Sequence, residues 1–328
     1  MTSSTPIRPR AITLEEIREA RTRIAHVVRR TPIFRLELGP EYPDIRLKLE
    51  NLQPTNSYKL RGAVNAVTVL PDSARRRGVW TISAGNAGQG VAYAARGAGV
   101  PCTVVVIETA PASKIARMKA LGANLVPVPY AVAWKALEER AYPGVEGTFI
   151  HPFDDDDFIT GHATLGLEIV EDVPNVSAVI AAVGGGGLVT GVASALKALK
   201  PDVKVWGAEP ETAAPLARSF ELQSAQLFKE WQPSFVDGAG GMSVLPRMWE
   251  RMRAVVDGAI VVSLDETRRA LRMIADQARV IAEGAGALSL AAALTGRAGR
   301  GPIVAVVSGG NIDLEKLCDI LAPAEGAK

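Results

Sequence analysis

Short apolar runs that fit β-strands alternate along this chain with longer stretches of helical spacing. The run at 103–107 is continuous and rich in β-branched residues, which is typical of a strand buried in a parallel sheet. Helical patterns follow strand patterns repeatedly, for example at 113–121, 188–199 and 284–294. Alternation of this kind predicts an α/β fold in which helices cover both faces of parallel sheets.

The strand and helix pattern falls into two parts. A compact β-α-β-α unit runs from 79 to 151, a polar connection follows at 151–164, and the pattern then resumes as far as 307. The length of 328 residues also suits two domains. We therefore expect two parallel-rich α/β domains: a large cofactor-binding one from 1–78 and 152–328, and a small mobile one from 79–151 inserted in it. The four aspartates at 154–157 are expected to cap a helix.

Composition narrows the possible partners. The net charge is only +2, which gives no electrostatic reason to expect nucleic acid or a membrane surface. Cys102 and Cys318 lie in apolar surroundings and are predicted to be reduced core residues of a cytoplasmic protein. Three histidines and two cysteines do not support a zinc site, and the polar residues 1–10 do not resemble a secretory signal.

Three turns with polar or glycine-rich sequences, at Ser83, Gly184 and Ser308, each follow a predicted strand. In parallel α/β sheets, ligands bind at the carboxyl ends of strands. These turns are therefore expected to surround one ligand site.

The turn at 184–187 contains four consecutive glycines and opens a helix. Glycines allow the backbone to approach a ligand closely, and the N–H groups of a helix start bind anions, so a phosphate is the expected ligand. A dinucleotide motif is excluded because Val189 and Thr190 stand where its last glycine is needed, and no Gly-Lys-Ser/Thr of a phosphate-binding NTPase loop follows.

The turn at 83–90 joins a strand to a helix and exposes backbone N–H groups that suit a carboxylate. A purely structural turn with a left-handed Asn86 explains the same residues equally well.

Lys59 follows a polar loop and stands at the start of a predicted helix. Positive partial charge at a helix N-terminus favours the neutral amine, which is the form needed for Schiff-base chemistry. A solvated surface lysine is the alternative from these residues alone.

The hexapeptide Ser57-Tyr58-Lys59-Leu60-Arg61-Gly62 and the three turns together resemble the fold-type II pyridoxal-phosphate enzymes. The similarity is to the threonine/serine dehydratase and serine racemase branch, without its C-terminal regulatory domain, and extends from Thr31 to Asn311. It implies a tryptophan synthase β-like fold with pyridoxal 5'-phosphate in the cleft between two domains, and a homodimer.

The resemblance also implies roles for individual residues. Lys59 would hold the cofactor covalently and then remove the Cα proton as catalytic base. The implied cofactor contacts are Tyr58, Lys59, Asn86, Gly184, Gly185, Gly186, Gly187, Leu188, Glu283 and Ser308. The implied substrate contacts are Ser83, Ala84, Gly85, Asn86 and Ala87.

Three positions depart from the family pattern. Ala84 replaces the serine that serves racemases as a second base, which favours elimination over racemisation. Ala87 replaces a histidine beside the substrate and leaves room for a larger side chain. Pro215 replaces an acidic ligand of the divalent-metal site that includes Glu209, so no metal is predicted.

The sequence therefore predicts a dehydratase (ammonia-lyase) of the threonine/serine type, which converts a β-hydroxy-L-amino acid to a 2-oxo acid and ammonia. A dehydratase of phenylserine or another bulky β-hydroxy amino acid is the first alternative. A serine racemase-like enzyme, a β-replacement synthase and a non-catalytic cofactor-binding protein are the others.

Overall fold

The computed structural model describes residues 9–322, which form ten strands and thirteen α-helices. The strands are β1 (Ile33–Arg35), β2 (Ile45–Leu49), β3 (Val79–Ile82), β4 (Cys102–Ile107), β5 (Asn124–Val128), β6 (Thr148–Phe149), β7 (Ala178–Ala182), β8 (Lys204–Pro210), β9 (Gly258–Val262) and β10 (Ile303–Val307).

The helices begin and end as follows: α1 (Leu14–Ile24), α2 (Lys59–Thr68), α3 (Asp72–Arg77), α4 (Asn86–Ala98), α5 (Ala112–Ala120), α6 (Tyr130–Glu139), α7 (Asp156–Asp172), α8 (Gly187–Leu199), α9 (Pro215–Leu222), α10 (Pro246–Val255), α11 (Leu264–Met273), α12 (Gly284–Leu294) and α13 (Leu314–Leu321). A 3₁₀ turn at Glu50–Leu52 and a π turn at Ile274–Ala278 complete the regular structure.

The strands form two sheets. The six-stranded sheet has the order β1-β2-β10-β7-β8-β9, in which every pair is parallel except β1 with β2. The four-stranded sheet has the order β5-β4-β3-β6 and is parallel throughout. Buried strands such as β7 and β10 consist only of alanine, valine and isoleucine, as expected when helices cover both faces. The predicted α/β fold with parallel sheets is confirmed.

Two glycines bring α2, the helix that carries Lys59, against α7. A Cβ atom at Gly62 would lie only 2.5 Å from the Phe158 carbonyl oxygen, and one at Gly161 would collide with the Arg61 carbonyl oxygen. Because neither glycine has a side chain, the two helix backbones touch directly. This contact fixes the position of α2, and therefore of Lys59, relative to α7.

The prediction of a polar connection at 151–164 is wrong beyond its first residues, because α7 begins at Asp156. The acidic run begins the helix instead of separating elements: the Asp155 carboxylate accepts a hydrogen bond from the Phe158 N–H, and Asp156 and Asp157 lie in the first turn. Negative charge is favourable there because the N-terminus of a helix carries positive partial charge. The interpretation of this run as a helix cap is therefore right.

Cys318 is exposed, so the prediction that it is a core residue is wrong, whereas Cys102 is buried as predicted. Both cysteines are free. Cys318 lies on the outer side of α13, whose inward-facing residues are Leu317 and Ile320.

Within residues 9–322, no helix is both long enough and apolar enough to cross a membrane. In the same range, no three His, Cys, Asp or Glu side chains are grouped as a metal site would require.

Candidate active site

A cavity of about 630 Å³ lies where the carboxyl ends of strands from both sheets meet. Ile82 and Ser83 at the end of β3, Ile107 at the end of β4, Gly185 after β7 and Ser308 after β10 all line it. The three turns singled out in the sequence thus surround one space, as the rule for ligand sites in parallel sheets predicts.

Lys59 is the first residue of α2, and its side chain reaches into this cavity. Its Nζ donates a hydrogen bond to the Pro152 carbonyl oxygen at 2.5 Å. Burial lowers the pKa of Lys59 to about 7. The expected direction of the shift is therefore found, but its cause is loss of solvation rather than the helix N-terminus on which the sequence argument relied.

The loop that presents the Pro152 carbonyl is held by a histidine. The Nδ1 atom of His151 accepts hydrogen bonds from the backbone N–H groups of Phe153 and Asp154, at 3.3 and 2.9 Å. Burial lowers the pKa of His151 to about 3, so the ring stays neutral and keeps its acceptor nitrogen. This arrangement fixes both Pro152 and the aromatic ring of Phe153.

Arg61, two residues after Lys59, does not line the cavity. Its guanidinium is buried and forms hydrogen-bonded ion pairs with Glu50 and Glu168, with N–O distances of 2.8 Å to each. Lys48, also buried, pairs with Glu168 at 2.6 Å. Breaking such a network would leave buried charges without partners, so it anchors α2 firmly in one position.

The glycine turn at 184–187 directs the N-terminus of α8 towards the cavity. The first helical hydrogen bond of α8 runs from the Thr190 N–H to the Gly186 carbonyl oxygen. The N–H groups that precede Thr190 therefore have no partner within the helix. Of the four glycines and Leu188, Gly185 lines the cavity. Gly186 faces Met252 and has a positive φ of 88°, and Leu188 is buried in the core.

The second turn places the N-terminus of α4 at the same cavity. This helix begins at Asn86, inside the segment 83–90 that was assigned to the turn from the sequence. Ser83 Oγ accepts a hydrogen bond from the Gly85 N–H at 3.1 Å, and the first N–H groups of α4 are available to an anion. Ser83, Ala84, Gly85, Asn86 and Ala87, called the carboxylate loop below, all line the cavity.

Asn86 joins this loop to the six-stranded part of the molecule. Its Nδ2 donates to Glu283 Oε1 at 2.6 Å, and its Oδ1 accepts from Asn311 Nδ2 at 2.8 Å. Burial raises the pKa of Glu283 to about 7, and its second carboxyl oxygen is buried with no partner among the described residues. Ser308 also lines the cavity, and the Glu283 N–H donates to the carbonyl oxygen of the next residue, Gly309.

Several lining residues were missed by the sequence argument. Lys114 on α5 pairs with Asp237 at 2.8 Å, and its Nζ lies 3.7 Å from the position that a Cβ of Gly85 would occupy. Phe153 and Trp134 also line the cavity. Lys114 and Trp134 follow strand ends by several residues, which is a weak signal that could have suggested them.

Glu209, a residue of the metal site implied by the resemblance, has other partners here. Its carboxylate accepts hydrogen bonds from the backbone N–H groups of Leu216 and Ala217, each at 2.8 Å. These groups belong to the first turn of α9, which begins at Pro215. Glu209 therefore caps a helix in this structure.

Comparison with known proteins gives consistent results. Residues 24–309 match the family model described as pyridoxal-phosphate dependent enzyme. The chain is 39% identical to an L-threonine ammonia-lyase of Thermotoga maritima, over 94% of this chain and 78% of that one.

Solved structures show the same fold. Maize serine racemase is 32% identical with a TM-score of 0.83, over 94% of this chain and 97% of that one. The processed form of threonine deaminase isoform 2 from Solanum lycopersicum is 31% identical with a TM-score of 0.82, over 97% and 96%.

The residues of the cavity fit pyridoxal phosphate, the cofactor named by the family model. The start of α8 offers free N–H groups for a phosphate, and Lys59 offers an amine with a pKa of about 7; Glu283, which has an unpaired carboxyl oxygen, and Ser308 line the same cavity. The match over residues 24–309 and this arrangement lead to one conclusion: the chain belongs to the family of pyridoxal-phosphate dependent enzymes.

Proposed function

We propose that the protein is a pyridoxal-phosphate dependent dehydratase of β-hydroxy-L-amino acids, of the threonine/serine type, which releases a 2-oxo acid and ammonia. One observation carries the proposal: Lys59 and the carboxylate loop line the same cavity, and the residue of that loop at position 84 is alanine. The cavity thus combines an amine with a lowered pKa and an anion site, but the loop offers no serine base at this position.

Each end of the cavity has a role in this proposal. The N-terminus of α8 would hold the cofactor phosphate, and the hydroxyl of Ser308 would bind the ring nitrogen. The N-terminus of α4, with Lys114 close to Gly85, holds the substrate carboxylate. When bound, pyridoxal phosphate supplies an electron sink that stabilises negative charge at the substrate Cα.

Lys59 then acts as the base. A neutral amine accepts the Cα proton, and because burial lowers the pKa of Lys59 to about 7, a substantial fraction of the amine is neutral near pH 7. Ala84 has no hydroxyl that could return a proton to the opposite face, so loss of the β-hydroxyl as water is favoured over racemisation. Sequence identity supports this choice, since it is 39% to the L-threonine ammonia-lyase and 32% to maize serine racemase.

The test is a substrate panel with the holoenzyme. L-threonine, L-serine, 3-hydroxyaspartate and phenylserine are each assayed for 2-oxo acid and ammonia, and residual amino acid is examined by chiral chromatography. We expect 2-oxo acid from at least one of them and no D-amino acid. Fast formation of D-serine with little 2-oxo acid would establish a racemase, and a yellow protein that consumes no substrate would establish a non-catalytic binding protein.

We also propose a cytoplasmic homodimer with residues 79–151 as a small mobile domain. Two free cysteines fit a reducing compartment. The homodimer is an expectation from the family resemblance alone. Light scattering coupled to size-exclusion chromatography measures the oligomeric state directly.

A further inference from the structure

One side of the cavity has no role in binding the cofactor, the amine or the carboxylate. This side, called the apolar wall below, consists of Ile82, Ile107, Ala133, Trp134 and Leu137. The two isoleucines are the last residues of β3 and β4, and the other three lie on α6. Their side chains offer hydrocarbon and aromatic surface, which suits an apolar group and not a charged one.

The apolar wall lies between the two anion sites. Ile82 immediately precedes Ser83, the first residue of the carboxylate loop. At the other end, the Phe153 ring packs against the apolar cluster that contains Ile82, Ala133 and Leu137. The same ring also contacts Gly185 of the glycine turn at 184–187. A substrate held by its carboxylate at one site and by the cofactor at the other therefore directs its remaining substituent along this wall.

A small substrate offers little apolar surface to this wall. Serine has only hydrogen as its second β-substituent and threonine has a methyl group. Ile82, Ala133 and Leu137 are buried at the base of the wall, whereas Trp134 is only partly buried; Ala84 and Ala87, which line the same cavity, have only methyl side chains. Apolar surface of this kind favours a ligand that covers it, because burying it removes it from water.

We propose that the apolar wall is the subsite for a large, aromatic β-substituent, so that 3-aryl-serines such as phenylserine are better substrates than threonine or serine. This inference rests on the proposed dehydratase function and specifies its substrate class. For phenylserine, the Cα–H and Cβ–O bonds break, water leaves, and hydrolysis of the resulting enamine consumes one water and releases ammonia. The products are phenylpyruvate and ammonia, and no oxidant or reductant is needed.

The first test compares kcat/KM for phenylserine and L-threonine. We expect the unmodified holoenzyme to favour phenylserine by about tenfold or more, as for a hydrophobic pocket filled by its substrate. Trp134→Leu should lower kcat/KM for phenylserine by about tenfold while that for threonine changes little. Val132→Ala is the control, because Val132 lies on the same helix but is 41% exposed and outside the cavity lining; it should change neither value.

A second test measures binding without turnover. L-phenylalanine and L-2-aminobutyrate resemble phenylserine and threonine but lack the hydroxyl that must leave. Each is titrated into the holoenzyme while the cofactor absorbance is recorded. We expect L-phenylalanine to bind more tightly, and Trp134→Leu to remove this preference.

The outcomes separate this inference from the proposed function. If threonine or serine yields a 2-oxo acid but phenylserine does not react and L-phenylalanine binds no better than L-2-aminobutyrate, the inference about the wall is overturned and the dehydratase function stands. If no β-hydroxy amino acid yields a 2-oxo acid but L-phenylalanine binds in a manner that depends on Trp134, the proposed function fails and the apolar subsite is supported.

Discussion

At the scale of single residues, the chemistry of the site depends on the protonation state of Lys59. Only the neutral amine can attach a cofactor aldehyde or accept a proton, and burial moves its pKa from the ordinary value of 10.5 to about 7. The Pro152 carbonyl oxygen accepts a hydrogen bond from this amine without requiring a positive charge on it. Lys59 is therefore available as a nucleophile near neutral pH.

This shift predicts how the apoprotein takes up its cofactor. Because the fraction of neutral amine rises with pH through the pKa, the initial rate of pyridoxal phosphate uptake should rise with a midpoint near pH 7 and then level off. Absorbance of the bound cofactor in stopped-flow experiments measures the rate. Nα-acetyl-lysine is the control, and its reaction should continue to accelerate towards pH 10 or so. Uptake that follows the control up to that pH would mean that Lys59 has an ordinary pKa.

The sequence predicted some of the residues in this cavity better than others. Asn86 and Ser308 each belong to a strand-end turn, and the topology of parallel sheets brings such turns together. Glu283 precedes α12 instead, and only the family resemblance indicated it. Lys114 and Trp134 lie on amphipathic helices, where a lysine or a tryptophan has no distinctive local pattern. Their positions depend on how α5 and α6 pack against the four-stranded sheet, which periodicity alone does not give.

At the scale of elements, two helix N-termini define the site. Both α4 and α8 begin immediately after a strand-end turn, and each directs unpaired N–H groups towards the cavity. Residues 83–90 were assigned to a turn from the sequence, although α4 begins at Asn86, because the start of this helix contains Gly88 and Gly90 and lacks an apolar periodicity. Tight packing explains these glycines: a Cβ at Gly88 would lie 2.6 Å from Met118 Sδ.

The glycine turn before α8 allows a prediction with a matched control. A Cβ at Gly185 would collide with the Phe153 ring, whereas one at Gly184 would have its nearest contact at 3.5 Å. Gly185→Ala must displace the Phe153 ring and should weaken pyridoxal phosphate binding about tenfold, since overpacking commonly costs about 1–3 kcal/mol. Gly184→Ala should bind it nearly normally. Titration of each apoprotein gives the two Kd values; equal values would show that the turn tolerates a side chain at 185.

At the scale of the whole molecule, one helix connects the two sheets across the cavity. From α5, Lys114 pairs with Asp237, Ser113 donates to Asp313, and Arg117 donates to Asn311. The partners lie in loops around the six-stranded sheet, whereas α5 packs on the four-stranded one. Lys114, which lies beside Gly85 of the carboxylate loop, therefore belongs to the contact between the two parts.

Lys114 is expected to contribute to binding of every substrate. Because it lies beside Gly85, Lys114→Met should raise KM for threonine and phenylserine by a similar factor, about tenfold, as expected for loss of a hydrogen bond to a charged group, with a smaller effect on kcat. Lys119→Met, an exposed position on the same helix, is the control. Steady-state kinetics with both substrates provide the test. A change confined to one substrate would place Lys114 at the side-chain subsite instead.

The central claim is that Lys59 is the base of a β-elimination, and Lys59→Ala tests it most directly. The measurement is 2-oxobutyrate formation from L-threonine, or phenylpyruvate formation from phenylserine, by the variant and the unmodified holoenzyme, with circular dichroism to confirm that both are folded. We expect 2-oxo acid from the unmodified enzyme and a loss of about a thousandfold in the folded variant, the range expected for removal of a general base. A folded variant that forms 2-oxo acid at a rate close to that of the unmodified enzyme would contradict the account.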